Sequence, residues 1–183
     1  MQVDYKYSDR LRKSEEYDDL FVECFYESQS SFTDEIKSIV DERRWSISIN
    51  DWKTSYLTSC ETYFINHYLK SGRKLKWFHV NKNILSDEEK KLLILCSTNA
   101  GEVSFNRPIN FEGWKPKDKI EMLWILISDY LITKKDFEEN FLPWINLCED
   151  LELDLHNDID FIKEICEWIR CSNVKKFDIE YRG

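Results

Sequence analysis

Residues Ile120 to Ile132 read IEMLWILISDYLI. Only Glu121, Ser128 and Asp129 are plainly polar in this run, and Tyr130 is amphipathic. The run follows Pro116, and proline suits the first turn of a helix. A helix that is apolar on most sides belongs at the centre of a core. Residues 117–132 are therefore read as a buried helix, and this reading sets the expected fold class.

The neighbouring segments extend that picture. Residues 51–71 place Tyr56, Cys60, Tyr63, Phe64, His67 and Tyr68 at helical spacing behind Trp52. Asn50 or Asp51 is the expected cap, and Gly72 follows the end. Ser86 with Glu89, and Thr133 with Asp136, have the spacing of capping boxes. The first opens a helix carrying Leu92, Leu93 and Cys96. The second opens one carrying Phe137, Phe141, Trp144, Ile145 and Cys148, which Pro143 should kink or divide. Asn157 is expected to cap residues 158–171, and residues 14–27 and 33–44 also read as helices. Strand signals are short: residues 45–49, 77–80, 102–111 (broken by Pro108) and the alternating 176–181. No internal repeat is apparent. The expected architecture is mainly α, a single compact helical domain over residues 1–183 with a few short β segments.

Composition sets the outer bounds. The chain has 183 residues, 42% of them hydrophobic and 15% aromatic, which is enough to build a core and too apolar for a disordered segment. Only four glycines and three prolines occur, so collagen-like and linker compositions are excluded. The six cysteines lack a CxxC pair, so no zinc ligand set is indicated. Cys60, Cys96, Cys148 and Cys166 sit within apolar patterns, and the polar residues 1–14 do not resemble a secretory signal. The expectation is a reduced cytoplasmic protein with no transmembrane segment.

The net charge of −9 is unevenly spread. Residues 14–36 hold eight acids and no Lys or Arg. Residues 133–167 hold eleven acids against Lys134, Lys135 and Lys163. Nucleic acid and anionic membrane are disfavoured by such surfaces, and a basic protein is attracted.

Catalytic equipment is sparse. Gly72, Gly101 and Gly113 are isolated, so neither a P-loop nor a dinucleotide fingerprint can form. Asp51 with Lys53, and Glu35 with Lys37, sit on expected helices where residues two apart do not face each other. His67, one face-turn from Cys60, is a candidate base for a nucleophile, but a Cys–His pair without a local signature is a weak signal, and a core or interface histidine satisfied by hydrogen bonding is the favoured reading. The basic stretch Lys70 to Lys82, with Trp77 and Phe78, reads as a loop and strand.

Residues Glu149 to Asp160 are the most informative stretch: six of twelve are acidic and none is Lys or Arg. Leu151, Leu153 and Leu155 alternate with the acids. A cation site at Asp154, Asp158 and Asp160 lacks the glycine and terminal Glu of a calcium loop. A solvated connector between helices and a docking surface for a basic partner both fit. The partner-binding residues expected from this segment are Glu149, Asp150, Glu152, Asp154, Asp158 and Asp160, with Trp144 as an adjacent anchor. Glu15, Glu16, Asp18, Asp19, Glu23 and Glu27 form the alternative surface. No catalytic, cofactor or metal site is expected. The functional expectation is an acidic inhibitor, an immunity or antitoxin protein that occludes a basic nuclease toxin. A helical regulatory module and a Cys/His-dependent hydrolase are the alternatives.

Overall fold

The computed structural model describes residues 19–41, 45–112, 114, 116 and 118–182. Its centre is a parallel sheet of six strands in sequential order: β1 (Ser46–Asn50), β2 (Leu75–Asn81), β3 (Ala100–Phe105), β4 (Ile120–Leu126), β5 (Cys148–His156) and β6 (Lys176–Arg182). This corrects the expected mainly α fold. The chain is α/β, and its strands are the frame, not a minor addition.

The correction turns on two segments. Residues 120–126 are a strand with Leu123 and Ile125 facing the core, both 0% exposed. Met122, Trp124 and Leu126 face the other way, half-buried. Apolar side chains on both faces erase the alternation that marks a strand, so the run imitates a central helix. Glu149 to His156, expected as part of a connector between helices, lies within β5. There the leucines fill the core face and the acids occupy the opposite one.

The elements around the sheet are α1 (residues 19–27), α2 (Asp34–Asp41), α3 (Ser55–Lys70), α4 (Asp87–Ser97), α5 (Lys134–Asp136), a π-helical turn (Phe137–Phe141), α6 (Leu142–Ile145) and α7 (Ile162–Cys171). Each strand adds beside its predecessor without a reversal of order. Right-handed crossovers in such a series put every connection on one face. The ring contacts agree: Phe105 on the core face of β3 meets Trp144 of α6 at 4.7 Å.

Local chemistry accounts for the helix ends. Thr54, not Asn50 or Asp51, caps α3, its Oγ1 accepting from the Leu57 N–H at 3.2 Å. Trp52 precedes the helix and is exposed. Ser86 and Glu89 close the expected capping box on α4, as Thr133 and Asp136 do on α5. Phe161, not Asn157, holds the N-cap position of α7. At Leu142 the N–H reaches back five residues to the Phe137 carbonyl, just before Pro143, which has no donor to offer the ladder.

The strands also share a repeat that conventional sequence periodicity hid. The pattern apolar-x-x-apolar-x-apolar recurs at Leu75–Phe78–Val80, Ala100–Val103–Phe105, Ile120–Leu123–Ile125 and Cys148–Leu151–Leu153, each position at most 4% exposed. Such spacing marks the strand rung of parallel solenoids. Val174–Phe177–Ile179 continues it at β6. Connections of unequal length separate the rungs, and unrelated residues fill the first position. At the β1 end, Phe21, Phe25, Phe32, Trp45 and Phe64 pack together, with Trp45 and Phe64 at 4.6 Å, and close the stack.

Candidate functional site

The face of the sheet opposite the helices is built by strand register. One row runs Ser46, Trp77, Glu102, Met122, Asp150, Lys176 across β1 to β6. The next runs Ser48, His79, Ser104, Trp124, Glu152, Asp178. A third joins Leu126, Asp154 and Glu180. Composition therefore changes across the face. β1 contributes small polar groups, β4 an apolar stripe of Met122, Trp124 and Leu126, and β5 and β6 mostly carboxylates.

The electrostatics follow from this crowding. The Glu152 carboxyl is held above its usual range, first by burial and then by Asp178, Glu180, Asp154 and Glu102. Five carboxylates on three strands thus share one field. Lys176 is a counter-ion on the face, 3.6 Å from Asp150. Among the described residues, Glu102, Glu152 and Asp178 have no ion-pair partner. No group of three His, Cys, Asp or Glu among the described residues converges as metal ligands; the acids are spread in rows.

Two aromatic residues share the face with them. Trp77 lies in register with Glu102, and Trp124 with Glu152. The Lys76 ammonium sits 3.4 Å from the centre of the Trp77 ring. No described cation lies on Trp124. Both indole nitrogens are shielded from solvent without an acceptor among the described residues. Between them, His79 and Ser104 are hydrogen-bonded through Nδ1 and Oγ. Burial pushes the His79 imidazole below its usual pKa.

The residues expected from sequence divide among several places. Asp150, Glu152 and Asp154 lie together on the open face of β5, with Asp154 only 3% exposed. Glu149 belongs to the same strand but is engaged by Lys175 at 2.7 Å and Lys119 at 3.6 Å, which hold its carboxyl below the usual range. Asp158 and Asp160 are exposed in the loop after β5. Trp144 is 0% exposed, packed among Phe105, Phe111 and Trp114; the structure places it in the core and not on a docking surface. Of the alternative surface, Glu15, Glu16 and Asp18 lie outside the described residues. Asp19, Glu23 and Glu27 are on α1, with Glu27 accepting from the Tyr56 hydroxyl.

His67 Nδ1 is hydrogen-bonded to the Tyr63 carbonyl at 2.9 Å. His156 Nδ1 accepts the Asp158 N–H at 3.1 Å. Both are engaged by their own local backbone.

Glu102, Met122, Trp124, Leu126, Asp178 and Glu180 were not visible as site residues in the sequence. Their common signal is the alternate position within each rung, and it becomes readable only once the rungs are aligned.

The fold and this face define a class: a one-sided parallel α/β stack with an open sheet surface that is apolar at its centre and acidic toward one edge. The chain matches no family model, no curated protein and no solved structure. No helix among the described residues is long and apolar enough to cross a membrane.

Proposed function

We propose that the open face of the sheet docks a basic protein and that the chain acts by covering that partner's working surface. The most concrete form is an immunity or antitoxin protein that neutralises a cationic, nuclease-type toxin. The observation carrying the reading is the placement of an apolar stripe on β4 directly beside the carboxylates of β5 and β6. Protein interfaces join an anchoring apolar centre to a charged rim, and the acids add fast, oriented encounter. Carboxylates set in rows along β5 and β6 would take the places on a cationic nuclease where it otherwise holds phosphates. A reducing cytoplasmic setting belongs to the same reading and is supported by six cysteines that are all free thiols.

The test is recovery of a partner from the native host at low salt with the tagged chain, compared with its Glu102→Lys, Glu152→Lys, Asp178→Lys variant. A basic protein retained by the wild type and lost by the variant supports the reading, as does inhibition of that protein's nuclease activity by the wild type alone. Equal recovery by both forms overturns it.

A further inference from the structure

The open face contains the same two-residue unit twice. Trp77 on β2 stands in register with Glu102 on β3, and Trp124 on β4 stands in register with Glu152 on β5. In each case an indole and a carboxylate occupy neighbouring strands, about 4.8 Å apart along the hydrogen-bonding direction. In the first unit the chain supplies its own cation, Lys76 on the Trp77 ring. The second unit holds none among the described residues.

Resting on the docking reading above, we propose that Trp124 and Glu152 form the receptor for one arginine side chain of the basic partner. The guanidinium lies on the indole and is paired with the carboxylate. Ser104, the register neighbour of Trp124 on β3, is buried and engaged by His79, so the guanidinium is received on the Glu152 side of the ring. Met122 and Leu126 flank the ring along β4 and bury the methylene stem of a long side chain.

Several features select arginine over lysine. A guanidinium is planar, stacks on an indole, and offers a fork of donors matched to a carboxylate. It is also more weakly hydrated than an ammonium, so it gives up less on entering a half-buried site. Glu152 already sits in the field of Glu102, Asp154, Asp178 and Glu180. One cation there relieves repulsion from several acids at once. Trp and Arg are also the side chains that most often dominate interface energies.

The test uses the full chain, labelled with nitrogen-15, and two blocked peptides of equal charge, hexa-arginine and hexa-lysine. Affinity is measured at low salt, and the indole N–H signals are followed, with that of Trp124 assigned through Trp124→Phe. Hexa-arginine should bind about tenfold more tightly than hexa-lysine, in line with a partly desolvated cation–π contact. Its largest indole shift should be at Trp124 and not at Trp77. Trp124→Leu should remove the preference and leave both peptides bound with the weaker, charge-driven affinity. The indole signals can equally be assigned on the wild type by triple-resonance spectra of carbon-13, nitrogen-15 labelled chain, so a poorly folding substitution does not remove the test. Equal affinity for the two peptides, or a shift centred elsewhere, overturns the arginine receptor and leaves docking by charge standing. Failure of both peptides to bind at low salt overturns the docking reading itself and the receptor with it.

Discussion

Trp124 and Glu152 occupy one rung of the open sheet face, the ring on β4 and the carboxylate on β5. Neither position is adjacent to the other in sequence. Parallel pairing brings them together, and with them an apolar stripe and an acidic edge become one surface. Consequences for binding, stability and reactivity follow from this placement and from the core behind it.

Reversal of Glu152 and Asp178 to Lys should slow association with the proposed basic partner about tenfold or more at low salt, the order expected when steering charges are inverted. The difference should shrink as salt rises and the screening length falls toward 3 Å near 1 M. Stopped-flow association rates measure both effects. Glu23→Lys on α1 is the control and should leave the rate near that of the wild type; a larger loss there would move the interface to α1.

The raised pKa of Glu152 fixes the sign of a pH effect. Its carboxyl binds a proton more tightly folded than unfolded, so its contribution is most favourable below the ordinary Glu pKa. That contribution is lost as pH rises through the folded value. Glu152→Gln should therefore raise the melting temperature at pH 7, with the gain disappearing below about pH 4. Melting curves across that range would contradict the crowding of carboxylates if the variant were less stable at neutral pH.

Lys53 and Glu61 form an ion pair of 2.5 Å with side chains only 5% and 2% exposed, tying the β1–α3 connection to α3. Removing one partner of a buried pair leaves an under-compensated charge. Lys53→Met should cost about 3–5 kcal/mol in urea unfolding. The double change with Glu61→Leu should be much less costly than the sum of the single changes.

Trp144→Ala should lower stability by about 3–5 kcal/mol through the cavity it leaves among Phe105, Phe111 and Trp114. At temperatures where the variant stays folded, partner dissociation should be unchanged. A faster dissociation rate with an unaltered melting temperature would instead mark Trp144 as a contact residue.

Thiol reactivity should follow burial. Cys24 and Cys171 are exposed, while Cys60, Cys96 and Cys148 are fully buried. Burial also pushes the Cys96 thiol well up and that of Cys148 to about 12. Since the thiolate is the reactive form, alkylation of the native chain at pH 8 should label Cys24 and Cys171 first and reach the buried three only after denaturation. Mass mapping of the labelled peptides checks the order.

Much of the local structure was legible in the chain itself. The capping boxes at Ser86 and Thr133, the aromatic helix around Phe64, and the alternation at residues 45–49 and 176–181 are short-range features. They depend on residues within a few positions of one another, so spacing alone reveals them. The acidic character of residues 149–160 is likewise a property of composition.

The sheet was not legible in the same way. Residues 120–126 carry apolar groups on both faces, and nothing within that window separates a central strand from a central helix. Residues 149–156 alternate as a strand does, but their charge suggested a surface connector until β4 and β6 were found on either side. The site has the same origin. Glu102, Trp124, Glu152 and Asp178 come from four strands separated by connections of unequal length, and their relation is one of register. Register is decided by which apolar side chains meet in the core, a long-range condition that no local pattern contains. The amino-acid order therefore determined the capping boxes at Ser86 and Thr133 and the acidic sign of the net charge. Only the tertiary pairing of β3 through β6 decided that an indole, an apolar stripe and a field of carboxylates face the same way.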